Sequence, residues 1–204
     1  MLTLYSSLTS PYGRKVRIVI DVLGLADQIA VQHANTLDPE DRLRQVNPLG
    51  KIPALILEDG SALYDSRVIV DFLETRYGDG AILPREPDRR FRQLTLAALA
   101  EGINDALLMV TYEGRFREPE QISQVWLDHQ YGKIRRGLTE VSCNLDEYRA
   151  PGIAAITLAC ALGYADWRQQ LDWRAEFPPL AAWLEEFGQQ VPAWERSAAP
   201  KPVT

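Results

Sequence analysis

The stretch 6-SSLTSPYGRKVRI-18 sets Ser6, Ser7, Thr9 and Ser10 ahead of a proline and then a basic, increasingly apolar run. Ser10-Pro11 reads as a helix start, because serine is a favoured N-cap and proline at the first helical position gives up only an N–H with no intrahelical partner. A hydroxyl placed there lies beside unsatisfied backbone N–H groups and the positive end of the helix dipole, surroundings that favour an anion. The chemistry on offer is stabilisation of a bound anion; simple capping is the competing reading. In 47-NPLGKIPAL-55, Pro53 stands immediately before an apolar strand, where a residue unable to donate to a ladder suits an edge or a special turn. A cis Ile52-Pro53 bond would leave the Ile52 backbone to pair with an extended ligand. In 64-YDSRVI-69, Asp65 and Ser66 head a further helix, and their carboxylate, hydroxyl and N–H groups could hold an α-amino acid headgroup. Capping alone would also account for that pair.

These groups need elements to position them. Leu2, Leu4 and Tyr5 form a run of strand length, and Tyr12, Val16, Val19, Ile20 and Leu23 follow at helical spacing, with Arg14, Lys15, Arg17 and Asp21 on the other faces. Residues 28–34 suit a second strand and 39–46 a short helix. Residues 53–59 and 61–64 read as two strands around an Asp-Gly turn. Val68, Ile69, Phe72, Leu73 and Tyr77 mark a helix that stops at Gly78, and 78–88, GDGAILPREPD, reads as a linker. Beyond it the pattern is helical only. Leu96, Leu99, Ala100, Ile103, Leu107 and Val110 mark one helix; Ile134, Leu138, Val141, Leu145 and Tyr148 mark another. Residues 153–167 are apolar on nearly every face, which suits a helix at the centre of a bundle. Leu180, Trp183, Leu184 and Phe187 supply the last helix, and the tail 198–204 is expected to be mobile.

Composition sets the bounds. The 204 residues, 46% hydrophobic and 25% charged, have an ordinary globular balance and room for one large or two small domains. A net charge of −6 argues against a general nucleic-acid binder, although basic clusters at 14–17 and 133–136 could take small anions. Cys143 and Cys160, with no CxxC and no clustered histidines, give neither a disulfide framework nor a metal site and read as buried small hydrophobes. His33 and His129 need no catalytic role. The first residues lack a signal-peptide pattern, and the longest apolar run, 153–165, is too short to span a bilayer. The expectation is a soluble cytoplasmic protein that neither enters a membrane nor binds nucleic acid.

A hydroxyl between strand and helix, an NPxGKIP turn and a DS-headed helix, in that order by residue 66, together resemble the soluble glutathione transferase superfamily, in its bacterial, serine-type form. The resemblance covers essentially the whole chain. It implies an α/β thioredoxin-like N-terminal domain over 1–77, a linker over 78–88 and an all-α helical-bundle C-terminal domain over 89–204. It also implies glutathione as co-substrate, no metal, a small electrophile as second substrate, detoxification chemistry and a two-fold homodimer. By position, Ser10 matches the residue that faces the glutathione sulfur, with Thr9 and Ser7 near in register. Ile52 matches the residue whose backbone pairs with the cysteinyl part, Pro53 the cis-proline, and Asp65 and Ser66 the pair that binds the γ-glutamyl group. Lys51 is a candidate for the glycine carboxylate. The second-substrate pocket implied by the resemblance would be lined by Leu8, Pro11 and Tyr12 from the N-terminal domain and by Asn104, Leu108, Tyr112 and Arg115 from the long helix, with Trp167 within reach. One departure from the family pattern is 152-GIAA-155, which lacks the Ser/Thr-x-x-Asp box of the central helix, so that helix must rely on packing. Serine in place of cysteine at position 10 argues against a mixed disulfide with the protein. Glutathione-dependent disulfide or peroxide reduction, and a non-catalytic binding or regulatory role, remain the alternatives to conjugation.

Overall fold

The computed structural model describes residues 1–200; part of the tail expected to be mobile, 201–204, lies outside the described residues. Two units emerge from the packing, one made of residues 1–90 together with 191–200 and the other of 91–190.

The first unit is built on a four-stranded mixed sheet in the order β2-β1-β3-β4, with β1 Leu2–Ser6, β2 Ile29–His33, β3 Ala54–Ile56 and β4 Ala62–Leu63. β1 and β2 run parallel, connected through helix α1, Pro11–Val22; β3 is antiparallel to β1 and to β4. The two hairpin strands are shorter than the apolar runs that encode them. Asp59 takes over at the turn, accepting from the N–H and the hydroxyl of Ser61 at 2.9 and 2.6 Å. A short helix α2, Leu43–Val46, covers only the second half of 39–46, because Asp38 and Asp41 turn the preceding residues by accepting from Glu40 N–H and from Asn35 and Leu43 N–H. Tyr5, Ala34, Leu43 and Ala54 form a core cluster that Val46, Ile52 and Ile56 flank. On the sheet, α1 packs with α3, Ser66–Leu73, through the buried Val16, Val19, Ile20, Ile69, Val70 and Leu73.

The expected linker is pinned at its start. α3 passes into a wider helical turn, 74–78, and there Glu74, only 3% exposed, accepts from Gly80 N–H at 2.6 Å and Ile82 N–H at 2.9 Å. Its carboxylate occupies the space a Cβ on Gly78 would need, 2.1 Å from Oε2, so a larger residue there would displace it from these bonds. Ile82 and Leu83 are buried behind it. Glu74→Ala leaves two amide donors without an acceptor and is expected to lower stability by about 2–4 kcal/mol. The midpoint of denaturant unfolding at unchanged slope checks this, and Glu74→Gln should recover part of the loss.

Arg14 and Lys15, placed by helical spacing on the outer faces of α1, are 9% and 2% exposed. The reason for Arg14 lies far along the chain. A short helix α9, Ala193–Arg196, brings the Trp194 ring to 3.4 Å from the guanidinium carbon, while Arg14 donates to Trp194 O at 2.8 Å and to Ser197 Oγ at 3.2 Å. Arg196 answers with an ion pair to Asp21 on the same helix α1, Nε to Oδ2 at 2.9 Å. The 14–17 cluster is therefore structural at Arg14 and not an open anion site.

The second unit is helical: α4 Pro87–Phe116, whose first turn belongs to the first unit, α5 Gln124–Cys143, α6 Ile153–Arg168, α7 Trp173–Glu176 and α8 Pro178–Gln190. The expected helix through Tyr148 breaks at Asn144 and resumes as a single tighter turn, 145–148. Tyr148 is fully buried there, and burial pushes its hydroxyl up to about 12, so it stays a neutral donor to Leu96 O at 3.3 Å. α6 starts at Gly152 with no side-chain cap, and every residue from 153 to 162 is buried, so packing holds it. Cys160 lies in that core, whereas Cys143, the last residue of α5, is exposed and not a buried hydrophobe. α4 is long and apolar enough to cross a bilayer by length and composition alone. Its apolar stretch nevertheless carries Glu101 and Asp105, and Leu96, Ala100, Ile103 and Leu107 are buried.

Candidate active site

Topology gathers the chemistry-bearing residues of the first unit. β1 and β4 run in the same direction and β3 runs against both, so the end of β1, the start of β3 and the end of β4 lie at one edge of the sheet. Register fixes the match: Tyr5 pairs with Ala54, and Leu55 with Leu63. Ser10 follows β1, Ile52 and Pro53 precede β3, and Asp65 and Ser66 follow β4. A cleft of about 300 Å³ between Leu2, Leu25, Ile29, Glu58 and Tyr77 opens at the opposite end of β1 and holds none of these groups.

Ser10 caps α1 with Pro11 in the first turn, and its Oγ accepts from Gly13 N–H at 3.1 Å. A Cβ at position 13 would sit 2.2 Å from the buried Ser6 Oγ, so any larger residue there would have to displace that hydroxyl. A serine oxygen that accepts still has its own proton to give, and nothing among the described residues takes it from Ser10. Ser7 and Thr9 differ, because their hydroxyls face each other at 3.5 Å. Leu8 is exposed, its carbonyl accepting from Arg17 Nη2 at 3.3 Å, and Tyr12 is half-buried.

The 47–53 turn is organised by Asn47, which the pattern of motifs did not single out. Its buried amide donates to Lys51 O at 2.8 Å and accepts from Leu49 N–H at 3.0 Å. The signal was present, since an asparagine before proline is a turn former whose side chain bonds the backbone two residues on. The Ile52-Pro53 bond is cis, and the Ile52 N–H and C=O make no hydrogen bond among the described residues. The Lys51 side chain is exposed.

Asp65 caps α3 by accepting from Arg67 N–H at 2.9 Å and pairs with the Arg67 guanidinium at 2.8 Å; the Tyr64-Asp65 bond is also cis. The hydrogen bond from the Arg67 side chain holds the Asp65 carboxyl below the usual carboxylate range, against a smaller desolvation penalty and with help from its own cap bond and the Lys15 charge. Ser66 is 2% exposed at the helix start.

In the second unit Asn104 is 1% exposed, and its Oδ1 has no hydrogen-bond partner among the described residues. Leu108 and Tyr112 follow on the same face of α4, both half-buried, with the Tyr112 ring edge-on to Phe116 at 5.2 Å and under the Arg115 guanidinium at 5.5 Å. Trp167 stacks with Tyr164 at 6.4 Å. Tyr164, Thr111, Arg168 and Gln170, none of them anticipated, complete a network there. The i, i+3, i+4 spacing of Tyr164, Trp167 and Arg168 was a readable hint of it.

Comparison with known proteins agrees with this architecture. The family models for the glutathione S-transferase N-terminal and C-terminal domains match residues 4–84 and 124–186. A glutathione transferase family member from Pseudomonas fluorescens Pf-5, solved with bound glutathione, superposes with a TM-score of 0.92 at 44% identity over 98% of this chain and all of that one. A further structure of a family member from the same organism, at 43% identity, TM-score 0.89 and the same coverage, holds S-(propanoic acid)-glutathione. An uncharacterized GST-like protein of Escherichia coli K12, YibF, is 32% identical over 98% of this chain and all of its own length. A thioredoxin-like unit, a helical unit, and relatives aligned from end to end establish that the chain belongs to the glutathione S-transferase family.

Proposed function

We propose that the protein binds glutathione on the first unit, holds its sulfur as a thiolate against the Ser10 hydroxyl and transfers it to a small electrophile. The observation that carries this reading is the Ser10 proton, unclaimed at a helix start on the same sheet edge as Ile52, Pro53, Asp65 and Ser66. Asp65 receives the γ-glutamyl amine, Ser66 and the α3 N-terminus its carboxylate, the Ile52 backbone the cysteinyl amide, and Lys51 the glycine carboxylate. The thiolate lone pair forms the new S–C bond. The leaving group departs with its electrons, or the neighbouring carbon of an activated double bond takes up a proton. Leu8 and Tyr12, on either side of Ser10 in the chain, contact that electrophile.

Conjugation is favoured over disulfide or peroxide reduction because position 10 is serine, and because one relative's structure holds a glutathione thioether. Transfer of this kind is detoxifying chemistry. The free thiols of Cys143 and Cys160 suit a cytoplasmic protein. Family membership supports a two-fold homodimer. The protein is expected to be retained on glutathione-agarose, to show the ultraviolet thiolate band of bound glutathione at pH 7 and to sediment as a dimer at micromolar concentration. Passage through the resin with no thiolate band would overturn the function, and a monomer would overturn the pairing.

A further inference from the structure

The first turn of α1, with Ser10 at its head, is held from the far end of the chain by residues of the same unit. Two bonds close that turn on Ser10: Gly13 N–H donates to its Oγ at 3.1 Å, and Arg14 N–H donates to its carbonyl at 2.8 Å. Gly13 has no side chain with which packing could hold the turn, and glycine is a poor helix former. The next side chain is anchored instead. The Arg14 guanidinium lies against the Trp194 ring at 3.4 Å and donates to Trp194 O at 2.8 Å and to Ser197 Oγ at 3.2 Å. Ser197 Oγ donates in turn to the same Trp194 carbonyl at 3.1 Å, and Trp194 and Ser197 are only 9% and 5% exposed. The ion pair of Arg196 with Asp21 falls elsewhere, near the last turn of α1.

A hydroxyl that must donate to a sulfur has to sit within about 0.5 Å of its productive position. A cap residue moves with the turn it caps, so whatever fixes Arg14 also fixes where the Ser10 proton can point. Stacking on a ring and donation to two oxygens order a long side chain that would otherwise sample many rotamers. Mere cohesion of α1 with α9 is a different role, and the Arg196–Asp21 pair supplies it without touching the first turn.

We propose that Trp194 and Ser197, acting through Arg14, are positioning residues for Ser10, so that the segment following the helical unit takes part in activating the sulfur. The proposal rests on the glutathione-transfer reading for that sulfur, but the coupling of α9 to the first turn of α1 does not.

The test uses the full chain with Trp194→Leu, the milder Ser197→Ala, and Arg196→Ala as the control at the other end of α1. Titration of the ultraviolet thiolate band is expected to show the pKa of bound glutathione raised by about half a unit to one unit in Trp194→Leu, and by less in Ser197→Ala. Turnover at pH 7 should fall by up to roughly tenfold, with glutathione affinity by calorimetry unchanged. Arg196→Ala should lower the unfolding midpoint and leave the thiol where it is. In a Ser10→Ala background Trp194→Leu should add no further shift, because the hydroxyl being positioned is gone. A second arm needs no glutathione: amide exchange at Gly13 and Arg14, followed by NMR, should quicken in Trp194→Leu and not in Arg196→Ala. If Trp194→Leu does not fold, Ser197→Ala decides by the same readings. Quickened exchange without a thiolate band in the wild type supports the coupling and sinks the transfer reading alone. An unmoved thiol in Trp194→Leu where Ser10→Ala shifts it, a shift that persists without Ser10, an equal shift in Arg196→Ala, or unchanged exchange at Gly13 and Arg14 would overturn the proposal.

Discussion

Ser10→Ala is expected to raise the pKa of the bound glutathione thiol by roughly one to two units and to lower turnover at pH 7 by roughly ten- to a hundredfold, with little change in glutathione affinity. A free thiol, with a pKa of about 8.5, is only a few per cent ionised at pH 7. A hydroxyl donates strongly to a thiolate and weakly to a thiol, so removing it acts on ionisation more than on binding. Because Ser10 also caps α1, alanine costs about 1 kcal/mol of stability as well, and the two effects must be separated. Ser10→Thr keeps both the cap and the donor and should restore the thiolate. Thr9→Val, which removes a hydroxyl already facing Ser7, is the matched control. Titration of the ultraviolet thiolate band decides between them: a shift in Thr9→Val with none in Ser10→Ala would move the catalytic hydroxyl one residue back.

Removing Asp65 and Ser66 together, as Asp65→Ala with Ser66→Ala, should weaken glutathione binding at least tenfold by calorimetry, since a bound zwitterion then loses partners for both of its charges. The pH dependence has a definite sign. The Asp65 carboxyl is depressed in the folded protein, first by its bond from Arg67, so its anionic form persists below the ordinary carboxylate value near 3.9. Whatever Asp65 contributes is therefore fully present above that value and is lost as pH falls through the depressed one. Arg67→Ala should move this acid limb of glutathione binding upward. An unmoved limb would mean that Asp65 is not the group being titrated.

The strand-helix-strand opening, the cap at Ser10 and the DS-headed helix were legible because each is a local signal, carried by neighbours in the chain, whereas the cis bond before Pro53 came only with the family resemblance. What escaped was set by distant partners. Helical spacing placed Arg14 off the apolar face, but a tryptophan 180 residues later covers it. The α5 pattern ran through Tyr148 without a sign that Asn144 would end it, because Val141, Leu145 and Tyr148 stay apolar in either geometry. In the second unit, Leu96, Ala100, Ile103 and Leu107 could be placed by periodicity on α4. The network that joins Arg168 and Tyr164 on α6 to Thr111 on α4 could not, since its members lie on separate helices.

The docking of α9 on α1 makes the first unit discontinuous in the chain: its sheet comes from the opening ninety residues, whereas the cover of Arg14 arrives only with 191–200. During synthesis the helix that carries Ser10 at its head is thus made early and completed late, after the whole helical unit has emerged. Until then the Arg14 guanidinium lacks the carbonyl, hydroxyl and ring that will surround it. The final stretch of the chain closes the part of the protein that was made first.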